Sequence, residues 1–133
     1  MAAFIGSTTE ANLRRAFATA TLAHRRYIAL AEQADAEGKH RAAALFRAIA
    51  KSRASQAEAH LNRLEPCDDQ TSTAYNVRVV IMDDVDACAD AYPAMARTAR
   101  QEGFFDIADW FESRAKAGRS HAGRFRRVLE TLL

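Results

Sequence analysis

Residues 27–64, YIALAEQADAEGKHRAAALFRAIAKSRASQAEAHLNRL, recur 65 positions later as residues 92–129, YPAMARTARQEGFFDIADWFESRAKAGRSHAGRFRRVL, without a gap. Thirteen of the 38 aligned pairs are identical: Tyr27/Tyr92, Ala29/Ala94, Ala31/Ala96, Ala34/Ala99, Glu37/Glu102, Gly38/Gly103, Ala43/Ala108, Phe46/Phe111, Ala50/Ala115, Lys51/Lys116, Ser55/Ser120, Ala57/Ala122 and Leu64/Leu129. Each copy has the pattern of a helix, a turn at the shared glycine, and a second helix. Two such hairpins predict an all-α, antiparallel four-helix bundle.

The sequence around the repeat sets the limits of the helices. Ser7-Thr8-Thr9-Glu10 has the spacing of a capping box, so the first helix is expected to begin near Thr8. The helix pairs are predicted at about 8–64 and 73–131, within a single domain spanning residues 1–133. A polar stretch at 65–72 is the predicted crossover linker. Pro93 lies inside the third helix and predicts a kink there.

Composition restricts the class of protein. The 133 residues are 49% hydrophobic and 27% charged, which is typical of one soluble globular domain. The net charge of +2 is too small to indicate a nucleic-acid partner by itself. Cys67 and Cys88 lie far apart and favour reduced thiols. The chain shows neither a signal-peptide pattern nor a stretch long enough to span a membrane, so we predict a cytoplasmic protein.

The apolar helix stripes are interrupted by polar residues near their middles. The second helix contributes Arg53 and Gln56, and the third contributes Asp84. Further polar positions on the stripes are Arg114 and His121 of the fourth helix and His24 of the first. Antiparallel neighbours place these positions at similar heights, which predicts a polar layer inside the bundle. Because buried polar groups are costly unless paired, the layer is either a satisfied network or a site.

Four segments resemble a known family: Ala16-Phe17-Ala18, Arg26-Tyr27, AYPAMARTARQEGF at residues 91–104, and HAGRF at residues 121–125. Together they are similar to the diiron domain of rubrerythrin, in the ferritin-like superfamily, over about residues 9–129. The resemblance implies a rubrerythrin-type bundle of two related helix pairs. It also implies two irons, held by glutamates from all four helices and by an E-x-x-H motif on the second and fourth helices.

Most of the ligand positions implied by the resemblance carry other residues. These former metal-ligand positions are Ala20, Arg53, Gln56, Asp84, Ala87, Gly118 and His121. Only His121 matches, and Asp84 is a shortened carboxylate; these two are the residual candidates for a metal ligand. The paired CxxC motifs of a rubredoxin-like module do not occur in the chain. The prediction is therefore no cofactor, where the family would bind two irons.

Charge gives the same prediction. Two irons need about four carboxylates, whereas Arg53 introduces a guanidinium that stays protonated. We expect Arg53 to form a charge-assisted pair with Asp84, completed by Gln56 and His121. The repeat-related Tyr27 and Tyr92 are expected to hydrogen-bond into the same polar core network. Three small residues at former ligand positions would leave a cavity for water or a small ligand, namely Ala20, Ala87 and Gly118.

Three functions are compatible with these observations. The sequence favours a non-catalytic binding, regulatory or structural bundle. The first alternative is an oxidoreductase that acts on peroxide or oxygen through a remodelled metal site, using His24 or Glu58. The second is a nucleic-acid binder that uses basic residues of the fourth helix: Arg114, Lys116, Arg119, Arg124, Arg126 and Arg127. The fourth helix also carries carboxylates, so a solvated helix face explains these basic residues better than a nucleic-acid site does.

The expected partner is a second copy of the chain. Trp110 and phenylalanines beyond the core stripe predict a homodimer, with a domain swap through residues 65–73 as an alternative. A small ligand or another protein remains open as a further partner.

Overall fold

The computed structural model describes residues 3–65 and 72–133, and at positions 84 and 87 the backbone alone. The helices are α1 Thr8–Ala36, α2 His40–Leu64, α3 Thr73–Val80, a π-helical turn Ile81–Val85, α4 Asp86–Gln101 and α5 Phe105–Leu132. No strand occurs in these described parts. The all-α prediction is confirmed. Most of the predicted linker, with Cys67, lies outside the described residues.

The chain divides into two compact units, Met1–Cys67 and Asp68–Leu133. In the first, α1 packs against α2, and we call this unit the first hairpin. In the second, α3, the π-helical turn and α4 run consecutively and pack against α5, forming the second hairpin. Each unit therefore contains one copy of the repeat.

Serine caps begin the leading helix of each hairpin. The Ser7 hydroxyl accepts a hydrogen bond from the backbone N–H of Glu10 at 3.0 Å. The Glu10 carboxylate accepts from the N–H of Gly6 at 3.0 Å, one residue earlier than in a standard capping box. In the second hairpin the Ser72 hydroxyl accepts from the N–H of Tyr75 at 3.1 Å. These bonds satisfy donors that a helix start leaves without partners.

The turn between the helices is the same in both hairpins. Gly38 has φ of 75° and Gly103 has φ of 87°, a region that residues with a Cβ rarely adopt. The N–H after each glycine bonds back to a carbonyl five residues earlier, Lys39 to Ala34 at 2.7 Å and Phe104 to Ala99 at 2.8 Å. This is the Schellman pattern, which ends a helix and reverses the chain.

Alanines form the buried contact inside each hairpin. Four repeat-related pairs are at most 7% exposed, and we call them the alanine ladder: Ala31/Ala96, Ala34/Ala99, Ala43/Ala108 and Ala50/Ala115. A methyl side chain lets the backbones of two helices approach closely. Several larger apolar residues are exposed instead, including Met95 at 46% and Ile107 at 48%.

An aromatic pair flanks the alanine ladder in each hairpin. Tyr27 stacks on Phe46 with ring centroids 6.0 Å apart and planes inclined by 20°. Tyr92 stacks on Phe111 at 5.9 Å and 24°. Offset stacking of this kind adds about 0.5–1.5 kcal/mol beyond area burial. The repeat therefore conserves side-chain packing as well as the backbone turn.

Ion pairs join the helix ends on the surface of the first hairpin. Asp35 accepts from Arg47 and, at 2.8 Å, from Nδ1 of His40. The hydrogen bond from Arg47, followed by that from His40, holds the pKa of Asp35 below its usual 3.8. Because Asp35 lies in solvent contact, the pair adds little to stability.

Candidate functional site

Three former ligand positions lie on the first hairpin. Ala20 of α1 is buried, with 2% of its surface exposed. Arg53 of α2 is half-buried, and Gln56, one turn later on the same face, is exposed. The two positions of α2 at which the resemblance implies an E-x-x-H motif therefore share a helix face, and they carry a cation and an amide.

The remaining former ligand positions lie on the second hairpin. Gly118 of α5 is half-buried, and His121, one turn later, is exposed. A Cβ added at Gly118 would lie 3.6 Å from the Cβ of Ala89 in α4, an ordinary contact distance. Asp84 lies in the π-helical turn and Ala87 in the first turn of α4, and both side chains are outside the described part of the structure. The predicted pairing of Arg53 with Asp84 thus stays a prediction.

The π-helical turn changes the register of the helix at the candidate site. The N–H of Asp86 bonds to the carbonyl of Ile81, five residues earlier, which accommodates one extra residue. Before the turn, the buried or half-buried residues of the second hairpin follow their counterparts in the first by 64 positions. These pairs are Glu10/Ala74, Leu13/Val77, Ala16/Val80 and Phe17/Ile81. After it they are 65 apart: Ala20/Val85, Ala23/Cys88, His24/Ala89 and Tyr27/Tyr92. The extra residue therefore falls beside Asp84.

His24 bridges the two helices of the first hairpin. Its Nδ1 lies 2.9 Å from the backbone carbonyl oxygen of Ala50. Because a carbonyl only accepts, Nδ1 carries the proton, and in the neutral ring Nε2 keeps its lone pair. His24 is half-buried, so this bond also satisfies a polar group between α1 and α2.

Arg114 of α5 is the most unusual polar side chain of the second hairpin. Its guanidinium carbon lies 4.6 Å from the centroid of the Trp110 ring, a cation–π contact. Its Nη2 donates to the Ser113 hydroxyl at 3.3 Å. Its Nε is buried and has no hydrogen-bond partner among the described residues. Arg114 was predicted to lie in the polar layer, but its spacing on the helix gave no sign that its Nε–H would be buried without a partner among the described residues.

A cavity of about 200 Å³ lies between α4 and α5. Tyr92 and Val85 line one side, and Arg114, Gly118 and His121 line the other. The second hairpin therefore brings two former ligand positions, Gly118 and His121, to the same cavity, and Tyr92 joins His121 there as a second residue of the predicted network. Tyr27 lies on the first hairpin, stacked on Phe46.

Neither a metal-binding cluster nor a membrane-spanning helix occurs among the described side chains of residues 3–65 and 72–133. No three His, Cys, Asp or Glu side chains of this described part converge as a metal-binding group. The same residues contain no helix with the length and apolar character of a membrane span.

Comparison with known proteins identifies the family. The Rubrerythrin family model matches residues 11–129. Rubrerythrin of Porphyromonas gingivalis is 34% identical over 134 residues, covering 93% of this chain and 67% of that protein. Rubrerythrin of Nitratidesulfovibrio vulgaris is 31% identical, covering 90% and 68%, and that of Clostridium perfringens is 26% identical, covering 96% and 72%. The helices and the match over most of the residues show that the chain belongs to the rubrerythrin family, with its all-α, ferritin-like fold.

Proposed function

We propose that this rubrerythrin-family chain has lost the diiron site and acts as a non-catalytic binding, regulatory or structural bundle. The observation that carries the proposal is Arg53, a half-buried arginine at the first ligand position that the resemblance implies on α2. A guanidinium remains protonated in any protein environment and repels a divalent cation. It also occupies volume that a ligand carboxylate would leave to the metal.

The other residues support the same proposal. Ala20 and Gly118 offer no donor atom, and Gln56 replaces an imidazole with an amide. His121 offers one imidazole. Iron sites of this type use several carboxylates together with histidine. The side chains described at these positions do not fit two irons.

Iron content tests the proposal directly. Protein purified from iron-supplemented cells is expected to hold less than about a tenth of an equivalent of iron, because iron binding depends on the full ligand set. Aerobic Fe(II) titration is expected to give no new near-UV band. The double variant Arg53→Glu/Gln56→His restores the motif on α2 and is expected to retain more iron than the wild type. Two irons per wild-type chain would overturn the proposal.

Within this bundle we propose a polar core network of Arg53, Gln56, Asp84 and His121, supported by Tyr27 and Tyr92. A double-mutant cycle of Arg53→Met and Asp84→Asn tests its central pair. A coupling energy of about 1–3 kcal/mol is expected, since a shielded charge pair is costly to break on one side only. Additive effects of the two substitutions would show that the side chains do not pair.

An oxidoreductase with a remodelled metal site is the second candidate. His24 supports it, because metal-bound histidines commonly donate their other ring N–H to a carbonyl, as His24 does to Ala50. Glu58 of α2 is exposed and would supply a carboxylate. Substantial iron in the wild type, lost on His24→Ala, would favour this function.

Nucleic-acid binding has less support. Arg126 pairs with Asp86 at 2.8 Å, and Arg114 stacks on Trp110. Arg100 bonds to Asp109 at 3.0 Å and to Glu112 at 2.8 Å, and these carboxylates raise its pKa. Cations already paired contribute little to phosphate binding. Steep salt-dependent retention on immobilised DNA would be needed to support this function.

We also propose that the chain is a cytoplasmic homodimer. Exposed apolar side chains support the dimer, with Leu22 68%, Leu45 61% and Trp110 58% accessible. Sedimentation velocity measures the oligomeric state, and a monomer at micromolar concentration would contradict the dimer.

A further inference from the structure

The residues that follow the shared glycine carry opposite charge in the two copies of the repeat. Residues 39–47, KHRAAALFR, contain two arginines, a lysine and no carboxylate, whereas residues 104–112, FFDIADWFE, contain three carboxylates and no basic residue. The reversal falls on repeat-related positions, since Arg41 corresponds to Asp106 and Arg47 to Glu112. Because the two turns have the same backbone, these side chains leave equivalent places on the two hairpins.

Each of these surfaces also has a large apolar residue one helical turn further on. Leu45 follows Arg41 on α2, and Trp110 follows Asp106 on α5, in both cases on the same helix face. Leu45 is 61% exposed and Trp110 is 58% exposed, although Arg114 lies 4.6 Å from the centroid of the indole ring. Tryptophan and arginine are enriched at protein interfaces and often dominate the binding energy there. We call Arg41 with Leu45 the α2 face, and Asp106 with Trp110 the α5 face.

The charged groups of both faces are open to pairing between molecules. Arg41 and Asp106 are exposed, and neither forms an ion pair within the described part of the chain. Other charges nearby are already bound within their own hairpins, since Arg47 pairs with Asp35 and Arg100 holds two carboxylates of α5. Arg41 and Asp106 can therefore pair with a partner without breaking an existing ion pair.

Charge determines which face fits which. Two α2 faces would bring Arg41 against a like charge, and two α5 faces would repel each other in the same way through Asp106. An α2 face against an α5 face instead pairs the guanidinium with the carboxylate and packs the leucine against the indole. Both complementary surfaces are present on every copy of the chain, which makes a second copy the partner that fits them.

We propose that the α2 face of one copy docks on the α5 face of a second copy. In a two-fold dimer this contact occurs twice, because each pair from the first copy to the second is repeated from the second to the first. Burial of Leu45 and Trp110 supplies affinity, while the pairing of Arg41 with Asp106 selects the surface. The inference names the surface of the homodimer proposed above and rests on that dimer.

Charge reversal on either face is expected to weaken the dimer. Sedimentation velocity of the full chain measures the dissociation constant, which Arg41→Glu is expected to raise about tenfold or more by placing two carboxylates together. Asp106→Arg is expected to do the same by placing two guanidinium groups together. Leu45→Ser keeps both charges and is expected to weaken the dimer by a similar factor. The matched control is Arg119→Glu, which reverses an exposed charge elsewhere on α5 and is expected to leave the dissociation constant unchanged.

Mixing the two reversed chains tests the pairing directly. An equimolar mixture of Arg41→Glu and Asp106→Arg is expected to recover the dimer, because each copy then offers the opposite charge to the other at both contacts. Misfolded chains would not recover on mixing, so this measurement separates docking from loss of the fold.

A mixture that stays monomeric would overturn the inference, as would a dimer that the two reversals and Leu45→Ser leave intact. An intact dimer of that kind would keep the proposed homodimer and place its contact on another surface. A wild type that is monomeric at micromolar concentration would remove both the inference and the homodimer. Neither result bears on the proposed loss of the diiron site, which iron content measures separately.

Discussion

Replacing Phe111 by alanine is expected to lower the free energy of unfolding by about 2–3 kcal/mol. Truncation of a fully buried phenylalanine costs about 3–5 kcal/mol, and a loss just below that range is expected here because Phe111 is half-buried. The ring also stacks on Tyr92 at 5.9 Å, and that contact is lost with it. Phe46→Ala is expected to have a similar effect in the first hairpin, because Phe46 occupies the repeat-related position.

Urea unfolding followed by circular dichroism measures this loss. The matched control is Phe105→Ala at the start of α5, where the ring is 58% exposed. That substitution is expected to change stability by less than about 0.5 kcal/mol. If Phe111→Ala were no more harmful than Phe105→Ala, the aromatic pair would not stabilise the hairpin.

Enlarging a residue of the alanine ladder is expected to destabilise the chain by about 1–3 kcal/mol. Ala43 and Ala108 are both 0% exposed, so a leucine at either position must displace the facing helix or adopt a strained rotamer. The gain in apolar area does not offset this strain, because both positions are already fully enclosed. Leucine and alanine are both good helix formers, so helix propensity contributes little.

Ala44→Leu provides the control for the ladder substitutions, because Ala44 is the exposed neighbour of Ala43 on α2. It is expected to alter the unfolding midpoint in urea only slightly, whereas Ala43→Leu lowers it clearly. Equal midpoints for the two variants would mean that the space between α1 and α2 accommodates a leucine.

The fold was predictable because its signals are local. The Ser7 cap and the two glycines each specify a short piece of backbone, and the repeat at an interval of 65 residues predicts that the hairpin occurs twice. The predicted helix limits near 8, 64, 73 and 131 lie within one residue of the helix ends in the structure. The buried contacts within each hairpin were harder to predict from the sequence. Periodicity of apolar residues points to the large side chains, whereas the most buried positions of the hairpins are alanines, which are also common on exposed helix faces.

The π-helical turn was missed for a different reason. A periodicity of apolar residues assumes a constant number of residues per turn. An inserted residue is therefore detected only when the spacing between the two hairpins before the insertion is compared with the spacing after it. The kink at Pro93 stays a prediction, whereas the π-helical turn at Ile81–Val85 lies where no irregularity was expected. A signal existed, since Leu13 and Val77 are 64 positions apart whereas Tyr27 and Tyr92 are 65 apart.

The candidate site was only partly predictable. The family resemblance located Arg53, Gly118 and His121 on helices, and the structure places the last two at one cavity. The resemblance could not show that Nε of Arg114 has no hydrogen-bond partner among the described residues, because that depends on the side-chain conformation beside Trp110 and Ser113. Spacing along a helix determines which face a residue occupies, whereas hydrogen bonding depends on the atoms around it.

The two glycine turns also have a kinetic consequence. Residues 37–39 join α1 to α2 and residues 102–104 join α4 to α5, so each pair of packed helices is connected by a three-residue segment. Closing so short a loop costs little chain entropy, and the alanine ladder can form from the turn outward. Low contact order of this kind is associated with folding in microseconds to milliseconds. Each half of the sequence is therefore expected to fold rapidly into its own helix pair.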